Sequence, residues 1–478
     1  MPFKKIIPSF FSAPVIIYRL LRTANHKLQT ACFLLLLLPL FSLSQENQHG
    51  DVYNYARKII DTLAAPGMHG RGYVSGGDSI AAKYIADRFA EFGLKSFEKI
   101  DDKHPEGNYY QGFSFPVNTF PGKINFELTY TSGDILNFIP FKGKPGKNFI
   151  VDPHSPGVNY QFYGFTFDST DATPRGFRKF EKKLGDKQCF IIYDERNVKD
   201  ENKIEYFKKI KSNQLNAIGL GEIVDKLTWD VSIEAPGFTR IQLLSDSFKI
   251  SSKKFQGSVL IQNSFQPHHP TQNLIAYLPG TQYPDSFIVF TAHYDHLGVM
   301  GHDENGKEVY FPGANDNASG CAMLLNLAKY YSQHPQKYSI AFMAFAGEEA
   351  GLLGSKYYTG HPLFPLKQIK FLVNFDIMGT GDEGIKVVNA TEFKTEFKTL
   401  QVLNAQNSYL KEVSPRGKTS NSDHYFFYAN GVKCFFIYTL GGIKAYHDIY
   451  DRPETLPLTK FEDVFRLMLD FTAWLQAD

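Results

Sequence analysis

Cysteine is scarce in this chain: four residues in 478, at positions 32, 189, 321 and 434, with no CxxC pair among them. That excludes a disulfide framework and a zinc site built on cysteine. Net charge is equally scarce, +2 from 51 Lys+Arg against 49 Asp+Glu, and no basic stripe with interleaved aromatics occurs in the folded part. Nothing in the composition would track a phosphate backbone, so nucleic acid is not an expected partner. Long apolar runs are missing too. The stretch ACFLLLLLPLFSL at 31–43 is 13 residues long and contains a proline, short of the roughly 20 that a bilayer-spanning helix needs. Acidic residues are absent before Glu46, whereas Lys4, Lys5, Arg19, Arg22 and Lys27 precede the apolar run. This is the layout of an export signal over 1–44, with cleavage after Ser44. The expectation is an exported chain, periplasmic, cell-surface or secreted, with no stable membrane span after cleavage.

What is present is a globular composition, 43% apolar and 15% aromatic, enough for two or three folded units. Val52, Tyr55, Ala56, Ile59, Ile60 and Leu63 fall at helical spacing, as do Ala81, Tyr84, Ile85, Phe89 and Phe92. Two amphipathic helices therefore flank a glycine-rich loop. From Phe113 to Phe265 short aromatic and β-branched runs are broken by Gly, Pro, Asn and Asp, with one helical candidate at Ile204 to Lys211; this reads as a β-rich insert. QPHHP at 266–270 reads as a solvated boundary. Beyond it, apolar strand candidates at Phe287 to Ala292, Ser339 to Ala346, Ile369 to Phe375 and Val432 to Tyr438 alternate with helical candidates at Ser319 to Tyr331 and Glu349 to Tyr358. Strands apolar on both faces belong to a largely parallel sheet covered by helices. The expected organisation is 45–112 and 266–478 as two parts of one α/β domain, with 113–265 inserted. A last helix should start at a capping box of Thr459 and Glu462.

The polar residues that end these strands carry the chemistry. His293 follows FIVFTA, Glu348 and Glu349 follow IAFMAFAG, and Asp376 follows FLVNF, while Asp316 and His447 lie in the loops PGANDNASG and GGIKAYHDIYD. Strand carboxyl ends are where open α/β sheets bind ligands. Singly, each has an ordinary explanation as a helix cap or a solvated side chain; jointly, they would meet at one edge of the sheet. Two Zn²⁺ would be neutralised by Asp316, Glu349, Asp376 and one hydroxide, with nitrogen from His293 and His447; Mn or Co are possible substitutes. Asp316 has two oxygens with which to bridge two ions. Glu348 is then a spare carboxylate suited to proton transfer, and Asp295 a partner for the second N–H of His293. His296 is a further ligand candidate. GTGDEG at 379–384 is followed by a strand candidate rather than a helix, and Ser422, Asp423 and His424 are consecutive without a GxSxG elbow, so neither a dinucleotide site nor a nucleophilic triad is expected.

The strings AHYDHLG (292–298), GANDNASG (313–320), FAGEEAGLLGS (345–355), NFDIMG (374–379), SDHYFF (422–427) and YHDIYD (446–451) resemble the M28 family of co-catalytic zinc peptidases, and 59–94 resembles the family's N-terminal region. The resemblance spans about 50–112 and 270–478. It implies a three-layer helix/sheet/helix α/β zinc exopeptidase fold with a mostly parallel mixed sheet. It also implies His293 and Asp376 on one zinc, Glu349 and His447 on the other, Asp316 between them, Glu348 as general base toward a bridging hydroxide, and a cis peptide after Asp316. The insert is similar to a protease-associated domain around KQCFIIYDE (187–195) and AIGLGE (217–222). The implied activity is that of an exported metallopeptidase, most simply an aminopeptidase acting on peptide substrates. Rivals on the same fold are a one-zinc glutaminyl-cyclase-like acyltransferase and a non-catalytic binding ectodomain. Thr380 stands where the family commonly has Arg, which bears on substrate contacts and not on the ligands.

Overall fold

The computed structural model describes residues 51–97, 108–131, 138–185, 188–248 and 253–477; the expected export signal and its cleavage point lie outside them. Among the described residues no helix is long and apolar enough to cross a membrane.

Among the described residues the main sheet has eight strands: β1 (Tyr110–Thr131), β2 (Ser264–Leu278), β3 (Tyr283–His293), β4 (Tyr338–Phe345), β5 (Ile369–Phe375), β6 (Gly384–Val388), β7 (Val413–Pro415) and β8 (Cys434–Leu440). Their spatial order is β1, β2, β4, β3, β5, β8, β6, β7. The four central strands β4, β3, β5 and β8 are mutually parallel and buried along most of their length, β3 from Phe287 onward. Parallel pairing brings their carboxyl ends to the same edge: His293 stands opposite Phe345, and Phe375 opposite Ile437. Alternate residues serve opposite faces. Phe287, Val289, Met343 and Leu372 pack with Tyr358, Phe364 and Phe427 on one side. On the other, Phe290 stacks on Tyr331 of the helix Gly320–Gln333, and Phe371 meets Phe471 of the helix Phe461–Leu475. The mostly parallel mixed sheet between helical layers matches expectation.

The second sheet is shared through β1, whose first half pairs with β2 and whose second half pairs with strands Phe138–Lys142 and Lys254–Ile261. It continues through Val158–Phe167, Phe190–Tyr193, Gly219–Val224, Thr239–Leu244 and Phe149–Val151. Two helices cover one face, Pro174–Leu184 and Glu201–Lys211, so this unit is less exclusively β than its texture promised. The first helix is capped by Thr173, whose hydroxyl accepts from Gly176 N, carries Pro174 in its first turn, and buries Phe177, Phe180 and Leu184. The opposite face is a core in which Phe126, Phe149, Phe190 and Trp229 pack with Leu297, Met300, Phe311 and Ile449 from the main domain.

Three local readings differ from the structure. QPHHP lies inside β2 rather than in a linker, and His269 is buried, with Nε2 donating to Asp78 Oδ2 at 3.0 Å. The final helix begins after Lys460 with no side-chain cap, because the Thr459 hydroxyl turns to Asp382 instead. The segment after Glu349 becomes helical only at Leu353, which leaves both glutamates on a turn at the sheet edge.

Candidate metal centre

His293 is the last residue of β3, Glu348 and Glu349 follow the end of β4, and Asp376 follows β5. Asp316 and His447 enter on loops. All are buried or nearly so, and the structure brings all six together. The two oxygens of Asp316 divide four of the others into two pairs. Oδ1 lies 3.3 Å from His293 Nε2, which is 3.4 Å from Asp376 Oδ1. Oδ2 lies 3.3 Å from His447 Nε2, which is 3.2 Å from Glu349 Oε2. Donor atoms about 2.0–2.2 Å from a common tetrahedral zinc stand about 3.3–3.5 Å apart, whereas hydrogen-bonded pairs are shorter. His293 Nε2 and Asp376 Oδ1 are buried without a hydrogen-bond partner. Orphaned donor atoms at ligand spacing fit metal ions, and the mixed nitrogen and oxygen set suits zinc.

Electrostatics agree. Burial alone would pull His293 down, yet Glu348 and Asp376 hold its pKa well above the imidazole range. His447 is pushed up to about 11 against burial by Glu349 and Asp316. Glu349 is held down at about 2, against burial and the Asp316 charge, by His447 and His296. A pocket of carboxylates that draws protons onto its imidazoles is one that attracts cations. Glu348 differs: burial first, then Glu349, Asp376 and Asp423, push its carboxyl well above the usual range. Its Oε2 stays 4.0 Å from His293 Nε2.

Around these six stands a frame that the sequence showed only in part. His293 Nδ1 donates to the Asp295 backbone carbonyl at 3.2 Å, and the Asp295 carboxylate expected as its partner stands slightly farther off, with Oδ1 at 3.7 Å. The Asp295 carboxylate instead takes the backbone N–H groups of Glu348 and Glu349 and the hydroxyl of Tyr73. It thereby fixes the turn that aims both glutamates. His296 donates from Nδ1 to Glu349 Oε1 at 2.7 Å and also lies near Asp316. The Ser422 hydroxyl donates to Asp376 Oδ2 and accepts from Asn374, itself bonded to Thr291. Asp451 accepts from the N–H groups of Asn315 and Asp316. The Asp316–Asn317 peptide is cis. Arg71, Tyr73 and Asp451 went unread. For Arg71 a signal existed in the glycines on either side: a Cβ at Gly70 would stand 2.5 Å from Phe311 O, and one at Gly72 2.3 Å from Gly298 Cα.

A largely parallel sheet with His, Asp and Glu donors gathered at its strand ends is an arrangement able to hold metal ions. Residues 273–472 match the model of peptidase family M28. Among curated relatives, a probable zinc metalloprotease of Pyrenophora teres f. teres is 36% identical over 118 residues, 24% of this chain and 23% of that protein. Aminopeptidase YwaD of Bacillus subtilis is 33% identical over 134 residues, 28% of this chain and 25% of that protein. The chain spans about a quarter of the length of these curated relatives. Among solved structures, BSAP, a zinc aminopeptidase from Bacillus subtilis, superposes with a TM-score of 0.60 at 16% identity over 88% of this chain and 94% of that one. That likeness is one of fold.

Proposed function

We propose that this protein is an exported dinuclear zinc exopeptidase, an aminopeptidase that removes residues from the free N-termini of peptides. The observation that carries the reading is the Asp316 carboxylate, each of whose oxygens stands 3.3 Å from a different histidine. His293, Asp316 and Asp376 would hold one ion, and Asp316, Glu349 and His447 the other. Zinc bound there supplies Lewis acidity toward the scissile carbonyl and positive charge beside the attacking water. Glu348 does the proton work. Burial raises its pKa above the usual carboxylate range, which makes it a stronger base. It takes the proton from the attacking water at a carboxylate oxygen and returns it to the leaving amine nitrogen. Burial keeps bulk water from short-circuiting that transfer, and the Asp295 bonds to the N–H groups of both glutamates hold the carboxylate in reach.

Aminoacyl reporter peptides test this. With free termini they should be hydrolysed, N-acetylated versions should not, and a chelator should abolish turnover until zinc is restored. Equal cleavage of blocked peptides would refute the aminopeptidase assignment, and chelator-resistant turnover the metal dependence. Cyclisation of an N-terminal Gln peptide in place of hydrolysis would identify an acyltransferase.

A further inference from the structure

The loop between strands Gly219–Val224 and Thr239–Leu244 of the second sheet is fastened to the loop that carries His447. Lys226 Nζ donates to the carbonyls of Lys444 and Tyr446 and pairs with Asp448 at 3.2 Å. Trp229 N donates to His447 O at 2.9 Å, its indole N–H donates to Val151 O at 2.8 Å, and its ring stacks on Phe311 at 4.7 Å. Past it, Asn118 N donates to Ser232 O. Between these fixed points sits Asp230. Its carboxylate lies within 4.8 Å of donor atoms of both Glu349 and His447, and the residue is exposed. Among the described residues its recorded hydrogen bond is from the N–H of Val231, and it makes no ion pair.

A rigidly held, solvent-facing carboxylate beside the metal centre, whose cationic neighbours among the described residues are the imidazoles of His447 and His154 and no lysine or arginine, is placed to receive a positive group arriving from solution. It is not needed as a ligand, since three donors already converge at each half of the centre. We infer that Asp230, presented by the second sheet, is a specificity-determining residue that binds an ammonium group of the substrate beside the Glu349 and His447 side of the site. This rests on the aminopeptidase reading and extends it, because it assigns a cationic substrate group to a residue outside the peptidase fold proper. The ammonium is either the substrate's free N-terminus or a lysine side chain.

The test compares the zinc-loaded wild type with Asp230→Asn, which keeps shape and removes charge. Zinc content per chain should be unchanged. For an N-terminal ammonium, kcat/KM should fall about 10- to 100-fold on all free-terminus reporters, the effect of losing one charge-assisted hydrogen bond. For a lysine side chain, the loss should be confined to Lys-containing reporters. Calorimetry with 3-methylbutylamine and its N-acetyl derivative requires no turnover: the amine should bind the wild type and bind Asp230→Asn about 10- to 100-fold more weakly, with the acetylated form indifferent. Unchanged kinetics and unchanged amine binding in Asp230→Asn overturn the inference and leave the peptidase reading intact. Loss of zinc in the variant overturns it by making Asp230 a ligand. Charge-dependent amine binding in a protein that hydrolyses no peptide sustains the inference and overturns the peptidase reading.

Discussion

Glu348→Gln is expected to lose about 10²- to 10⁴-fold in kcat on free-terminus reporters, the usual contribution of a positioned acid-base group, while its zinc content stays at the wild-type level. The two outcomes belong together. Glu348 lies beside the ligand Glu349, but its Oε2 is 4.0 Å from His293 Nε2, outside the 3.2–3.4 Å spacing that the five donors keep. The amide preserves shape and removes the ability to accept a proton. KM should change little, because proton transfer matters in the transition state and not in substrate binding. Metal loss in this variant would show that Glu348 is a ligand, and full activity would remove it from the chemistry.

Arg71→Met should cost more stability than most single changes, several kcal/mol in chemical denaturation. The guanidinium is fully buried and donates to five backbone carbonyls, those of Leu63, Tyr294, Pro312, Gly313 and Asp316. Burial pulls its pKa down, while Asp316, Asp451 and Asp295 help to keep it charged. Each carbonyl left unsatisfied in the interior costs about 1–3 kcal/mol, and five of them share this one side chain. Arg71 also ties the helix ending at residue 63 to the end of β3 and to the Asp316 loop, so the loss should fall on the metal centre as well. Lysine has no fork of donors and should rescue only part of the deficit. A variant as stable as the wild type, measured by urea midpoint at unchanged m-value, would contradict this role.

The ligand positions were legible because each buried strand is a run of apolar residues that stops at a polar one. The sequence itself marks where the sheet edge falls, and parallel pairing does the rest. The frame behind the ligands was legible only locally. Asp295 lies two residues from His293, so its involvement was readable, but which of its atoms serves which neighbour depends on the turn after β4. Asp451 bonds to Asn315 across 136 positions, and Arg71 to Gly313 across 242. No periodicity links such pairs; tertiary folding alone brings them together. The helix Pro174–Leu184 was missed for another reason. Its apolar residues are three phenylalanine or leucine side chains among five Lys/Arg, embedded in a segment rich in aromatic strands. Its Thr173 cap and Pro174 start were nonetheless written in the sequence. Asp230 carried no local mark at all, and its place depends on how Lys226 and Trp229 fasten one loop to another.

The central claim is that His293, Asp316, Glu349, Asp376 and His447 grip a pair of ions shared through Asp316. Elemental analysis of zinc per chain after dialysis against metal-free buffer, on the wild type and on Asp316→Ala, tests it directly. The account predicts two zinc ions in the wild type and loss of at least one on removal of the shared carboxylate. A wild type that retains none, or an Asp316→Ala protein that still holds two, would contradict it.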